Sequence, residues 1–181
     1  MTDVLVDRGL TPPRTREGVY EMAREAGGCY ELYRVDWHGS MLTDAGARLM
    51  CHFDSADMES IRQAMRQTAQ EEWVMHPVTV HASPDNADLE PNVAVERSWD
   101  EPVEMADIQA IEDEGAWCLE TRNVKFVRTY FTTDRKRMVC LYNAPDAESV
   151  REAQSQINMP MDSVWAFELL KPSELANSTV D

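Results

Sequence analysis

The sequence lacks the patterns that mark several common classes of protein. It has seven glycines and no glycine-rich turn between a strand and a helix, so we expect no nucleotide cofactor. None of its four cysteines forms a Cys-x-x-Cys pair, so we expect reduced thiols and a cytoplasmic protein. No apolar run approaches the roughly 20 residues that cross a bilayer, and no signal-peptide pattern is visible.

Positive charge is also scarce. Lys and Arg number 17 against 33 Asp and Glu, which gives a net charge of −16. Because a nucleic-acid backbone and an anionic membrane surface would both be repelled, we expect neither as a partner. The acidic runs Glu71–Glu72 and Glu112–Glu114 are expected to be solvated helix faces.

The cysteines indicate an internal repeat. Cys118 lies 89 positions after Cys29, and Cys140 lies 89 positions after Cys51. Many other positions pair like residues at the same offset, including Arg8 with Arg97, Pro13 with Pro102, Val35 with Val124 and Asp57 with Asp146. The chain is therefore predicted to be a tandem duplication.

The repeat sets the predicted domain boundaries. The first repeat is predicted over residues 1–82 and the second over residues 93–172. Residues 83–92 are polar, acidic and contain prolines, which is typical of a linker. Residues 173–181 are predicted to form a flexible tail.

Each repeat is predicted to have the order β-α-β-β-α-β, which is the ferredoxin-like arrangement, with its second helix starting near Asp57 in the first repeat and near Asp146 in the second. The central strands are predicted at Tyr30–Leu42 and Ala47–Phe53 in the first repeat, and at Leu119–Phe131 and Arg137–Tyr142 in the second. Large apolar side chains alternate poorly along these strands, so both faces of each sheet should be covered. We therefore predict an α+β fold in which the two antiparallel sheets pack face to face as a pseudo-symmetric α+β barrel with a cavity between them.

Several motifs of the second repeat carry a resemblance to a known family. They are Val127-Arg128-Thr129-Tyr130, the hairpin strand Arg137–Tyr142, the helix start Ala144–Arg151, and Met159-Pro160. This pattern resembles a family of small bacterial ferredoxin-like domains of unknown function that is often described as nickel-responsive-protein-like. The resemblance extends in a degraded form to the first repeat, at Met50–Phe53. It implies the ferredoxin-like fold and nickel as a ligand, but it assigns no metal ligands.

The histidines suggest a metal site in the first repeat, because all four lie there. If Leu42 pairs with Ala47 in the hairpin, His38 lies opposite Cys51; if the turn shifts by one residue, His38 lies opposite His52. Imidazole and thiolate suit nickel, zinc or copper. His38, His52 and Cys51 are therefore the candidate metal ligands, and the alternative is that they are ordinary half-buried strand residues.

A second candidate site lies in the predicted cavity. Arg128 and Tyr130 have no counterparts in the first repeat, and an Arg beside a Tyr in apolar surroundings suits a carboxylate or phenolate ligand. Trp37 and Phe126 are expected to line the same space, although an aromatic core is the simpler interpretation.

Three functions remain open at this point. The leading one is a protein that binds a small molecule or a transition metal such as nickel, without a defined reaction. The second is an enzyme that acts on a small anionic or aromatic substrate in the cavity, with catalytic residues that the sequence does not identify. The third is an interaction module that forms a homodimer through its sheet face.

Overall fold

The structure is a computed structural model that describes residues 1–175. It confirms an α+β fold, with eight antiparallel strands and five α-helices in the described chain. The strands are β1 (Thr2–Gly9), β2 (Asp36–Thr43), β3 (Arg48–Ser55), β4 (Trp73–Ala82), β5 (Val93–Ser98), β6 (Lys125–Thr132), β7 (Arg137–Asn143) and β8 (Ser163–Leu170). The helices are α1 (Arg16–Tyr33), α2 (Met58–Thr68), α3 (Met105–Glu114), α4 (Ala116–Thr121) and α5 (Ala147–Gln156). None of the described helices is both long and apolar enough to cross a membrane.

The chain divides into two compact units. Unit 1 comprises residues 1–78 and the C-terminal segment from Glu168, and unit 2 comprises residues 79–167. In unit 1, β1 pairs with both β3 and β4, and β2 pairs with β3, so the strand order is β4-β1-β3-β2. In unit 2, β5 pairs with both β7 and β8, and β6 pairs with β7, so the order is β8-β5-β7-β6.

Helix starts follow short polar side chains that cap free backbone N–H groups. Thr15 Oγ1 accepts from the backbone N–H of Gly18 at the start of α1. Asp57 caps α2 and Asp146 caps α5, each by accepting from a backbone N–H three residues later. Both aspartates lie at the helix starts that the sequence predicts.

The predicted start of the second strand is wrong in both repeats. Tyr30–Tyr33 belongs to α1, which ends only where Arg34 adopts a left-handed conformation with φ of 54°. In the second repeat, Leu119–Thr121 belongs to α4, and Asn123 has φ of 53°. The aromatic and apolar residues Tyr30, Leu32 and Tyr33 favoured a strand, but in the helix the two tyrosines are partly buried against the core and Leu32 is 70% exposed. Hydrophobic periodicity does not separate a strand from a helix over so short a stretch.

Each unit has its own core between the sheet and the helices. In unit 1 the buried side chains come from alternate positions of β1 and β3 and from α1 and α2; they include Val4, Val6, Val19, Tyr20, Cys51, Phe53, Ile61 and Met65. In unit 2 they come from the corresponding elements; they include Val93, Val95, Ile108, Met138, Cys140, Tyr142 and Val150. Alternate strand residues share a sheet face, so these sets define the helix-facing side of each sheet.

The start of the predicted tail is held against unit 1. Tyr20 on α1 donates its phenolic O–H to Glu174 Oε2 at 2.6 Å, and Arg16 contacts the same carboxylate at 2.5 Å. The hydrogen bond from Tyr20 lowers the pKa of Glu174, whereas burial, followed by this hydrogen bond, raises the pKa of Tyr20 to about 12. The rest of the predicted tail, residues 176–181, lies outside the described residues.

This contact predicts a pH dependence of stability. The pKa of Glu174 is lower in the folded state than in the unfolded state, where it is about 4.3. The ionised carboxylate therefore adds to the free energy of unfolding above about pH 4.3, and this stabilisation is lost as the pH falls through the folded-state pKa. We expect wild type to exceed Glu174→Gln in unfolding free energy by less than about 1 kcal/mol at pH 7, and the difference to vanish near pH 3. Urea unfolding across this range tests it, with exposed Glu21→Gln as the control. A difference that grows on acidification would contradict the assignment.

Candidate functional site

Unit 1 contains a cavity of about 250 Å³ between the helices and the helix-facing side of the sheet. Its apolar wall comes from α1, β2 and β3 and includes Val19, Met22, Ala26, Trp37, Leu49 and Phe53. Its polar wall comes from β1, the sheet centre and the region that follows α2, and includes Arg8, Tyr30, Ser40, Cys51, Gln67 and Glu71. The lining is thus more polar than apolar, with one apolar wall against which part of a small ligand could pack.

A buried ion pair forms the polar end of the cavity. Arg8 Nε donates to Glu71 Oε1 at 2.5 Å, and Arg8 Nη2 contacts the same oxygen. The Arg8 side chain is 6% exposed and that of Glu71 is 16% exposed. Glu71 is therefore not on a solvated helix face as predicted: it follows the end of α2, and its carboxylate turns inward to neutralise Arg8. The adjacent Glu72 is exposed.

Arg14 and Glu25 also line the cavity, and the other polar groups, which include Cys51, Tyr30 and Ser40, are neutral hydrogen-bonding groups. Burial raises the pKa of the Cys51 thiol, although the charge of Arg8 acts in the opposite direction. Burial also raises the pKa of Tyr30 to about 12. Ser40 lies beside Cys51 in the β2–β3 register and accepts a hydrogen bond at 3.0 Å from Trp37 Nε1. The thiol and the phenol thus stay protonated near neutral pH and serve as hydrogen-bonding groups or packing surface.

The structure brings the two predicted histidine ligands together but separates them from the thiol. Leu42 pairs with Leu49, and Ser40 rather than His38 faces Cys51, so the register that places His38 opposite Cys51 is wrong. In the alternative register His38 faces His52, whereas in the structure Gly39 is the residue paired with His52. A bulge between Trp37 and Gly39 then shifts the register. The His38 and His52 rings have centroids 4.8 Å apart. Cys51 packs in the helix-facing core, and adjacent strand residues point to opposite faces, so His52 lies on the other side of the sheet.

Both imidazoles already have carboxylate neighbours. His52 Nε2 lies 2.8 Å from Asp3 Oδ1, and His38 Nε2 lies 3.3 Å from Asp54 Oδ2. Among residues 1–175, no group of three or more His, Cys, Asp or Glu side chains is arranged to hold a metal ion. Structural and catalytic transition-metal sites need at least three protein ligands. The described residues therefore do not fit a nickel site.

The four predicted ligand-binding residues do not share one face. Trp37 lines the helix-side cavity of unit 1. In unit 2, Phe126 packs in the helix-facing core with its ring centroid 5.9 Å from that of Tyr142. Arg128 and Tyr130 flank Thr129, which bonds to Cys140 on the helix-facing side, so they lie on the opposite side of the sheet from Phe126.

The backbone explains why Arg128 has no counterpart in the first repeat. The equivalent position is Gly39, which has φ of +143° at the bulge of β2. A Cβ atom there would lie 2.9 Å from the carbonyl oxygen of Leu170. A side chain at this position is therefore excluded by backbone conformation and by space.

Sequence reasoning missed Arg8 and Glu71 as site residues. A signal for Arg8 was present, because it follows Val4 and Val6 in the same alternation and must therefore enter the core face of the strand. Nothing in the sequence distinguishes Glu71 from Glu72 as its partner. The choice depends on where the chain turns after α2.

Together, these elements define an α+β protein with ferredoxin-like strand order in each unit and a helix-side cavity in unit 1. Within this class, residues 94–166 match the model of the nickel-responsive protein SCO4226-like family. The resemblance predicted for the second repeat is thereby confirmed. Comparison with curated proteins gave no match.

Solved structures with TM-scores above 0.5 share the fold of this chain. The crystal structure of SCO4226 from Streptomyces coelicolor A3(2) is 14% identical and covers 40% of this chain and 90% of its own, with a TM-score of 0.37. The chlorite dismutase candidate TA0507 is 14% identical over 99% of this chain and 98% of its own, with a TM-score of 0.52. A heme-binding protein from Thermus thermophilus is 9% identical over 97% of this chain and 94% of its own, also with a TM-score of 0.52. At these identities the similarity is one of fold.

Proposed function

We propose that this protein binds a small neutral molecule in the helix-side cavity of unit 1. The observation that carries the proposal is the 250 Å³ space with an apolar wall and the buried Arg8–Glu71 pair at its polar end. A buried ion pair presents both donor and acceptor atoms, so it favours a polar group that can accept and donate at once. A ligand with a hydroxyl group and an aromatic ring meets both walls.

The size of the cavity narrows the ligand class. Drug-sized ligands occupy pockets of about 300–1,000 Å³. A space of 250 Å³ therefore suits a smaller molecule, such as a single substituted ring, and does not suit a macrocycle such as heme. Phenol is accordingly the probe that we choose, with its ring against Met22, Trp37 and Phe53.

The chemistry of the cavity favours binding over catalysis. A cysteine nucleophile requires a depressed pKa and an adjacent base, whereas burial raises the pKa of Cys51. Of the site residues predicted from sequence, Trp37 and Cys51 line the proposed site. The heme-binding neighbour from T. thermophilus supports the general idea that this fold serves small ligands.

Nickel is not part of the proposal. The segment that matches the nickel-responsive family, residues 94–166, contains no histidine, since all four histidines precede it. Its cysteines, Cys118 and Cys140, are both buried in the core of unit 2. The family name therefore does not extend to a recognisable set of ligands in this chain.

We also propose that the two units are copies of one domain. The same local features recur 89 positions apart: the aspartate caps Asp57 and Asp146, and the bulges that follow Trp37 and Phe126. The left-handed residues Arg34 and Asn123 recur at this offset as well. A duplication explains why backbone conformations, and not only residue types, recur at this offset.

Titration with phenol, followed by ¹H–¹⁵N NMR, tests the ligand site. We expect saturable shifts of backbone amides in α1, β2 and β3 of the wild-type protein. Ala23→Leu should weaken binding by at least about tenfold, or ~1.4 kcal/mol, because Ala23 lines the cavity and added methyl groups would fill it. Ala110→Leu, an exposed change on α3, is the control and should bind as wild type does.

The proposal fails if phenol produces no saturable shifts in wild type. It also fails if Ala23→Leu binds phenol as strongly as the control does while the dispersion of its amide signals shows that it is folded.

A further inference from the structure

Trp117 on α4 of unit 2 is a large aromatic side chain that the core does not use. It is 60% exposed, whereas the next residue, Cys118, is fully buried. The other four tryptophans are held by the fold, two of them through indole N–H groups that donate to Ser40 and Glu96 and two through packing against a core; they are Trp37, Trp165, Trp73 and Trp99. Tryptophan is enriched among the residues that dominate binding energy at protein interfaces. An exposed indole without a role in the fold therefore indicates a contact surface.

Carboxylates lie on both sides of Trp117 along the helix. Asp113 and Glu114 precede it by four and three residues, Glu120 follows it by three, and all three are exposed. Gly115 separates α3 from α4, but helical hydrogen bonding continues across it: its N–H donates to the carbonyl oxygen four residues earlier at 3.1 Å, and its carbonyl oxygen accepts from the N–H three residues later at 2.9 Å. Residues three and four apart are neighbours on a helix surface. These three carboxylates and the indole together form what we call the Trp117 surface.

The protein itself does not balance the negative charge of the Trp117 surface. Among residues 1–175, none of its three carboxylates forms an ion pair with a basic side chain. The nearest basic residue in the sequence, Arg122, is directed to Glu152, with Nε and Oε2 3.3 Å apart. Asp113 accepts from the neutral side chain of Gln109 at 2.8 Å. A partner that covers the indole must therefore bring positive charge with it.

The Trp117 surface is particular to unit 2. At the offset of 89, Gly28 stands in the place of Trp117 and Arg24 in the place of Asp113. The corresponding part of α1 is helical without either residue. The indole and the first carboxylate are therefore not requirements of the helix, which favours a role in binding.

We propose that the Trp117 surface binds an arginine-rich segment of a partner protein. One guanidinium group stacks on the face of the indole, and neighbouring arginines pair with Asp113, Glu114 and Glu120. A guanidinium group is planar and weakly hydrated, so it both stacks on aromatic rings and binds carboxylates through two parallel hydrogen bonds.

Distance and charge favour a peptide over other occupants. Asp113 and Glu120 lie about 10 Å apart along the helix axis, at a rise of about 1.5 Å per residue, so one small cation does not reach both. A second copy of this chain would bring a net charge of −16 to the same carboxylates, and an anionic membrane surface would also be repelled. A peptide with several arginines meets the indole and the carboxylates together.

The experiment titrates the protein with acetyl-tetra-arginine amide and with the tetra-lysine peptide of equal charge, followed by ¹H–¹⁵N NMR. We expect tetra-arginine to give saturable shifts of the Trp117 indole N–H signal, which is identified by its loss in Trp117→Ala. Tetra-lysine should bind at least about threefold more weakly, because an ammonium group has no planar face to stack on the indole.

Two pairs of variants separate the Trp117 surface from general attraction to an acidic protein. Trp117→Ala should weaken tetra-arginine binding about fivefold. Its control is Leu32→Ala, which removes a 70% exposed apolar side chain from α1 and should bind as wild type does. Glu120→Gln should weaken binding about twofold, whereas Glu31→Gln, the same change at the equivalent exposed position of α1, should not.

Four results would overturn the proposal. They are the absence of a saturable shift of the Trp117 indole N–H signal, equal affinity for the two peptides, equal affinity of folded Trp117→Ala and Leu32→Ala for tetra-arginine, and equal losses from Glu120→Gln and Glu31→Gln. The comparison of the two peptides uses wild type alone, so it decides the question even if a variant fails to fold. Phenol binding in unit 1 is read from α1, β2 and β3, so the two proposals are tested by different signals.

Discussion

Replacing Glu71 with alanine is expected to reduce the free energy of unfolding by about 3 kcal/mol, because it leaves the buried Arg8 guanidinium without its partner. The effect comes from Arg8, whose side chain is only 6% exposed and therefore stays poorly hydrated when its partner is removed. Urea unfolding at pH 7 measures the change. The same substitution at Glu72 provides a matched control on the adjacent residue.

The control separates the ion pair from a general effect of removing negative charge. Glu72 is exposed, so Glu72→Ala should change the free energy of unfolding by less than about 0.5 kcal/mol. Equal effects of the two substitutions would show that Glu71 does not neutralise Arg8 in the folded protein.

Replacing Gln154 with methionine is expected to destabilise the protein by about 2–3 kcal/mol, since it leaves a charged donor in the core without this acceptor and a phenolic oxygen without this donor. Gln154 accepts from Arg97 Nη2 at 2.6 Å and donates to Tyr142 Oη at 3.1 Å, and all three side chains are buried. Methionine has nearly the same shape, so the change removes hydrogen bonds without creating a large cavity. It is also the residue at the equivalent position of unit 1, Met65.

The matched control is Gln156→Met on the same helix. Gln156 is exposed and accepts only a surface hydrogen bond from Arg122 at 3.0 Å, so the expected change is below about 0.5 kcal/mol. Thermal or urea unfolding distinguishes the variants. If Gln154→Met is as stable as wild type, the hydrogen bonds between Gln154, Arg97 and Tyr142 do not stabilise unit 2.

Much of the fold could be predicted from the sequence, because strand alternation and helix caps are local signals. Asp57 and Asp146 mark helix starts that the structure confirms. The end of α1 could not be predicted in the same way, because it depends on Arg34 in a left-handed conformation, which no glycine marks. The face-to-face packing of the sheets and the homodimer remain predictions.

The candidate site was less accessible to sequence reasoning. The position of His38 depends on a bulge in β2, and one inserted residue changes which side chains face each other. Tertiary packing decides which member of each acidic run turns inward, namely Glu71 in the first run and Glu112 in the second. In each run a neighbouring glutamate, Glu72 or Glu114, is exposed as predicted.

The most direct test of the proposed function is a crystal structure of the protein soaked with phenol. The account predicts one phenol molecule between α1 and the sheet of unit 1, with its hydroxyl group within hydrogen-bond distance of Arg8 or Glu71. Its ring should contact Met22, Trp37 or Phe53, which form the apolar wall. A structure in which this cavity contains only water, or in which phenol occupies other sites alone, would contradict the account.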